Sequence, residues 1–423
     1  MKSIKIVGVV CLVAVSVLSG VFYLKLYILT PKTAEVATIA ESSLPTPQEP
    51  APVIEYSVFP RAPKTVAGGV ANHTGGAGEE KLLSSYRLGG YVYALLSTAS
   101  NGLDYRALAP SLAVAKFDGG MALLATVTLP VQGTLLAVTP YDYGLLLVVS
   151  REDGLTLVGV DPSLQVATKS LPYHVTSACA TYGADGVVVA GAGERLYFFG
   201  VDASLSVTFS HSIQGEGYLV SYMYAYAGHY ILFGKGVSDG VAYALSSSGV
   251  LGRYAVARPD AITPYPEGYA VVTLGDKATV YRYDYALSYL GATTLETASS
   301  CVVGSYEQGL WVVLGKTSGT VGYTLCRHGD VQCKIDLPDG TPTTPMWSGD
   351  AFLYWAEGEE GRLVAYTPLT NTCQTLATVV GARGVEWWRQ GSTLYLMCDS
   401  DFTYGYFEGG FGGRDVYMLK IGL

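Results

Sequence analysis

A module of about forty residues recurs along this chain and limits what it can fold into. It is cleanest between Leu135 and Pro172, which reads LLAVTPYDYG, LLLVVSREDG, LTLVGVDPS and LQVATKSLP. Four short apolar runs rich in Val, Leu, Tyr and Thr are punctuated by Gly, Asp, Ser and Pro. Branched and aromatic side chains suit a pleated strand and the punctuating residues suit turns, so each module reads as a four-stranded meander. One landmark is an aromatic followed shortly by Gly: Tyr141 with Gly144, Tyr182 with Gly186, Tyr226 with Gly228, Tyr265 with Gly268, Tyr306 with Gly309, Trp347 with Gly349 and Trp388 with Gly391. These glycines are 40 to 42 residues apart, and Gly90, 54 residues before Gly144, marks an earlier copy with a longer internal loop. A second landmark is an Asp turn before the fourth strand, as in Asp161-Pro162-Ser163-Leu164, Asp202-Ala203-Ser204-Leu205 and Asp284-Tyr285-Ala286-Leu287.

A lone four-stranded sheet cannot bury both faces, whereas sheets stacked around a ring can. The repeat therefore predicts an all-β protein, a β-propeller of eight four-stranded blades, with seven as the alternative count. Continuously apolar strands such as Leu145–Val149 fit burial on both faces. Recurrence in nearly every copy assigns the aromatic-Gly landmark to packing between blades. Only 14% of residues are charged, which also fits doubly buried strands. The formal net charge of -9 and the lack of a Lys/Arg run exclude nucleic acid as the expected partner.

Ahead of the repeats, Ile6–Leu24 is an uncharged run preceded by Lys2 and Lys5. Nineteen residues at ~1.5 Å each span a hydrocarbon core of ~30 Å, so the run reads as a transmembrane helix within an anchor of residues 1–29. The two lysines place the N-terminus in the cytoplasm and the remainder outside. A cleaved signal peptide, which would leave a secreted protein, is the alternative. Residues 30–52 form a linker rich in Pro, Ser and Thr. The propeller is expected over 53–423: its last copy lacks a fourth strand, and the isolated strand Val53–Phe59 is expected to pair with Asp415–Ile421 and close the ring. Between them, residues 60–80 read as a Gly-rich connection containing the sequon Asn72-His73-Thr74.

Gly412-Gly413-Arg414-Asp415-Val416-Tyr417-Met418-Leu419-Lys420-Ile421 resembles a strand of bacterial exported β-propeller repeat proteins, which read Gly-x-Asp followed by alternating apolar residues and Lys. The eight copies are also similar in number to quinoprotein-type and outer-membrane assembly propellers. The recurring Trp docking motif of quinoprotein blades is missing, with five Trp in the chain. The resemblance implies the fold and carries over no functional residue and no cofactor.

Five scattered histidines include no pair at ligand spacing, and there is no nucleophile elbow, Walker loop or dinucleotide fingerprint. Asp399 and Asp401 are candidate ligands for a hard cation such as calcium at the start of a Gly- and aromatic-rich loop. Cys326 and Cys333 flank an expected hairpin turn at Gly329-Asp330 and are a candidate disulfide, while Cys179, Cys301, Cys373 and Cys398 read as buried free thiols. Two copies have long second-to-third loops, Ser97–Ser111 and Asp399–Gly413. Ring closure makes these copies neighbours, so Asp104, Tyr105 and Arg106 with Phe402, Tyr404, Tyr406, Phe407 and Phe411 form a candidate binding ridge. The expectation is a membrane-anchored extracytoplasmic propeller that binds or scaffolds a protein or glycan. The alternative is a cell-envelope enzyme, polysaccharide-active or other, with a site at the channel mouth.

Overall fold

The computed structural model describes residues 64–422 except 67–68, 75–79, 102–104, 142–143, 348–350, 359, 368–369, 371, 391–392 and 401–414. The anchor, the linker and Val53–Phe59 lie outside the described residues. Among the described residues no helix is long and apolar enough to cross a membrane.

The described chain is an eight-bladed β-propeller with four-stranded blades. Blade 1 comprises β3 (Glu80–Leu88), β4 (Tyr91–Asn101), β5 (Tyr105–Phe117) and β6 (Leu123–Thr128). Blades 2 to 7 follow at 134–171, 175–214, 219–256, 261–294, 300–337 and 341–380, each a meander in chain order. Blade 8 is built from both ends of the chain. It takes β31 (Arg383–Gln390), β32 (Thr393–Ser400) and β33 (Asp415–Gly422), then β2 (Gly69–Thr74), with the short β1 (Lys64–Val66) added outside.

Closure by the two termini was expected, but the strand that performs it is different. β33 pairs with β32 on one side and with β2 on the other, from Gly69↔Ile421 to Thr74↔Val416. A strand has two edges, and both edges of β33 are taken by β32 and β2, in place of the expected Val53–Phe59. The sequon Asn72-His73-Thr74 is accordingly in a ladder rather than in the expected loop.

The alternation of a strand explains the packing. In blade 2, Leu145, Leu147 and Val149 pack toward Leu95 and Val114 of blade 1, while Leu146 and Val148 pack toward Val187, Val189 and Phe199 of blade 3. Successive side chains of one strand thus enter two different cores. Each fully buried Leu or Val contributes roughly 1.5–3 kcal/mol. The ring closes in the same way: Leu96 and Ala113 of blade 1 share a core with Met397 and Met418 of blade 8. The first strands of neighbouring blades lie side by side around the axis and the fourth strands form the rim.

The Asp turn repeats with the same geometry. In the third-to-fourth turn of blade 2, Asp161 Oδ1 accepts the amides of Ser163 and Gln165, both at 2.8 Å. Asp202 does the same for Ser204 and Ser206 at 2.9 Å each, and Asp118 for Gly120 and Ala122 at 2.8 Å each. Three residues after each Asp, the chain turns left-handed and sends an apolar side chain into the blade interface: Met121 (φ 70°), Leu164 (φ 63°), Leu205 (φ 61°) and Leu287 (φ 65°) are all buried.

Candidate functional site

The meander topology sorts the loops onto two faces. Turns joining first to second and third to fourth strands share one face; second-to-third loops and blade-to-blade connections share the other.

Most sequence-derived candidates were expected on the second face, near the seam of blades 8 and 1. Asp104, Asp401, Phe402, Tyr404, Tyr406, Phe407 and Phe411 lie outside the described residues. Tyr105 and Arg106 are in β5, and most of the expected loop 97–111 belongs to β4 and β5: Ser100 pairs with Arg106 and Asn101 with Tyr105. β4 runs to Asn101 and β5 begins at Tyr105. Asp399 is buried in β32, and its Oδ2 accepts the Leu82 amide at 3.1 Å. It therefore ties blade 8 to blade 1 rather than opening a loop. No group of three His, Cys, Asp or Glu side chains suited to a metal is present among the described residues.

The cysteine pair does not face across the ladder as expected. Cys333 is opposite Thr324, and Cys326 lies at the turn, where its Sγ is 3.7 Å from Asp330 Oδ2. Cys326 is two residues beyond Thr324, ~6–7 Å along the strand, a separation that a disulfide tolerates poorly. No disulfide joins the two sulfurs in this structure. Of the other four, Cys179 and Cys398 are buried as expected, but Cys301 and Cys373 are only partly so.

Near the axis, the sequence reading missed two charged groups. Asp260, at the connection from blade 4 to blade 5, receives Lys235 Nζ at 2.7 Å and Arg258 Nη2 at 3.3 Å on one oxygen, and the Leu274 amide at 2.7 Å on the other. Glu386 is on β31, the innermost strand of blade 8, and burial pushes its carboxyl up to about 7. Burial likewise raises the Tyr86 hydroxyl on the adjacent β3, with the Glu386 charge a smaller cause of the same sign. Glu386 was invisible in sequence because one acid in GVEWWRQG carries no local pattern. Glu296 is the opposite case: Lys316 and Lys334 both donate to it and hold its carboxyl down, to about 2.

On the first face, blade 4 departs from the repeat. In blades 2, 5 and 6 a Gly opens the second strand because there is no room for a side chain. A Cβ on Gly144 would be 1.9 Å from Val160 O, and one on Gly268 would be 2.0 Å from Tyr283 O. In blade 4 that place opposite Tyr226 is held by His229, and the Gly has moved into the turn itself. Ala227 (φ 49°) and Gly228 (φ 78°) form a tight two-residue turn. Tyr226 is left 41% exposed, whereas its counterparts Tyr141 and Tyr265 are buried at 6% and 2%.

A second departure meets the first. The residue after the turn Asp is Pro162 in blade 2 and Ala203 in blade 3, but Tyr285 in blade 5. The rings of Tyr226 and Tyr285 stack with centroids 4.1 Å apart and planes 2° from parallel. Tyr285 is itself fixed: its hydroxyl donates to Tyr265 O at 2.9 Å, and its ring meets Tyr269 edge-on. The spacing of two residues from Tyr226 to Gly228, shared only with Trp347 and Gly349 against three or four in the other pairs, was the signal available in the sequence.

The exposed large apolar side chains of the described residues fall in one sector. Among the described residues they are Leu219, Tyr226, Val237, Val250, Leu251 and Tyr254 in blade 4, Tyr289 and Leu290 in blade 5, and Val331 in blade 6.

No family model matches the sequence, and no curated protein matches it. Solved structures share the fold. The Dos1 propeller superposes with a TM-score of 0.55 over 81% of this chain and 93% of its own, at 12% identity. The dihydro-heme d1 dehydrogenase NirN, in complex with DHE, superposes with a TM-score of 0.51 over 80% of this chain and 76% of its own, also at 12% identity. Likeness at this level of identity is likeness of fold.

Proposed function

We propose that this protein is a membrane-anchored, extracytoplasmic propeller that binds a protein or glycan partner on the sector formed by blades 4 to 6. The observation that carries this reading is the one-sided exposure of apolar side chains. Single exposed apolar residues are ordinary, but here Val250, Leu251, Tyr254, Tyr289, Leu290 and Val331 occupy the rim strands of three consecutive blades. A patch of this kind costs solubility unless a partner covers it. The apolar run at 6–24 and the linker at 30–52 support display outside a membrane. The seam residues 104–106 and 402–411 belong to the same proposal as a second contact surface, since blades 8 and 1 are across the ring from blades 4 and 5.

One observation favours an enzyme instead. Glu386, with its carboxyl at about 7, is in the range of a general acid or base at neutral pH and is on an axial strand. Other carboxylates are committed to structure: Asp118, Asp161 and Asp202 to their own turns, Asp260 and Glu296 to two cations each. The test uses full-length protein in detergent, immobilised and exposed to solubilised envelope and to a glycan array. A defined partner whose recovery falls at least tenfold in the L251K/Y289K double variant is the expected result. Turnover of an envelope polysaccharide that is lost in E386Q, with no partner retained, would favour the enzyme.

A further inference from the structure

The Tyr226–Tyr285 stack has the form of a built contact surface. In a repeat protein, features common to all blades serve the ring, and features found once are free to serve something else. Two departures from blades 2, 5 and 6 and from the other Asp turns converge here: in blade 4 the Gly sits inside the turn, as it also does in blade 1, and leaves Tyr226 exposed, and in blade 5 a Tyr follows the turn Asp where blades 1 to 3 place Gly, Pro or Ala. The resulting ring pair is parallel, is anchored from below by Tyr265 O and Tyr269, and stays 41% exposed at its outer member. Little side-chain entropy is left to lose on binding.

We propose that Tyr226 is a stacking platform for the ring of a neutral sugar. This rests on the binding function proposed above and narrows its ligand. A pyranose presents an apolar C–H face that covers an aromatic ring and hydroxyls that need acceptors at the ring edge. The turns on this face that flank the stack carry Asp185, Glu267 and Asp284, beside His229. Such acidic turns accept bonds from hydroxyls and repel an anionic polymer, as does the chain's net charge of -9. The aromatic face and the carboxylates together select an uncharged polyol.

The test is binding of full-length protein in detergent to soluble cellohexaose, mannohexaose and chitohexaose, with a proline-rich decapeptide as comparison. Wild type is expected to bind at least one hexasaccharide. Y226A and Y226L should weaken that binding at least tenfold, and Y226F should retain it. Y226L keeps apolar contact with Tyr285 while removing the ring face, and T168A, at an exposed position on the rim strand of blade 2, should bind as wild type does. Saccharide binding that is unchanged in Y226L overturns the platform and leaves the wider binding function standing. Tyr226-dependent binding of the peptide, with none of the saccharides, overturns the ligand class. If no hexasaccharide binds, the inference fails, and the envelope capture described above then decides the wider reading separately.

Discussion

Gly144 and Gly90 mark corresponding turns, yet they tolerate different things. A Cβ on Gly144 would fall 1.9 Å from a backbone carbonyl at φ 129°, while one on Gly90, at φ 79°, meets nothing within 4 Å. Gly144→Ala should therefore cost about 3 kcal/mol or more, because backbone must move, and Gly90→Ala about 1 kcal/mol, the strain of the left-handed residue alone. Urea unfolding of the two variants measures the difference. Glu386 makes a second prediction. Its carboxyl titrates at about 7 in the fold and near the ordinary carboxylate value of ~4.3 when unfolded. Between those values the native state holds the proton and the unfolded state does not. Stability therefore falls as pH rises from about 4.3 to 7 and the loss is complete above that, at up to about 3 kcal/mol for this group. Glu386→Gln should remove this segment of the stability profile and raise the melting temperature at pH 8 more than at pH 5. An aromatic exposed for contact and one buried for packing are the same letter in sequence. Tyr226 and Tyr141 share one landmark, and only the displacement of Gly228 separated them.

At the scale of the strand, blade 8 separates what local chemistry specifies from what geometry specifies. The Asp turns and apolar runs of blades 2 to 6 were legible because each carries its own determinants: a carboxylate that binds two amides, and an alternation that serves two cores. β2 reads GVANHT, with Gly, Asn and His, and has weak strand propensity. VIEYSVF at 53–59 has the stronger pattern, yet the open edge of β33 is filled by residues 69–74. Its recruitment follows from the unpaired edge and from chain connectivity, neither of which is a local property. The β4–β5 hairpin was obscured for the converse reason, since Asn101, Gly102 and Pro110 are breaker residues inside or beside a ladder that tolerates them at its end. A chain beginning at residue 62 should melt cooperatively at a temperature close to that of the full protein. One beginning at residue 76 loses β1 and β2, exposes the edge of β33, and should melt earlier and aggregate. Calorimetry and light scattering on both chains check this, and equal melting temperatures would refute closure by β2.

Over the whole ring, the asymmetry lies in the surface and not in the core. Leu251 and Tyr289 are more than half exposed on rim strands, at 53% and 61%. Replacing both by Lys should change unfolding free energy by no more than about 0.5 kcal/mol while reducing self-association and partner capture. Denaturant titration paired with sedimentation distinguishes a surface effect from a fold defect. The ring also has a direction in time. β2 is among the first described strands to be made and β33 is the last, and each is the other's neighbour. At ~5–20 residues per second, synthesis separates them by on the order of tens of seconds. Seven blades can form as they emerge, but the eighth waits for β33. A product cut short even by its final strand is left with an open seam, and the open seam is what a protease or chaperone recognises. Blade closure thus follows the order in which the strands are born, and it comes only when the partner of an early strand has at last been made.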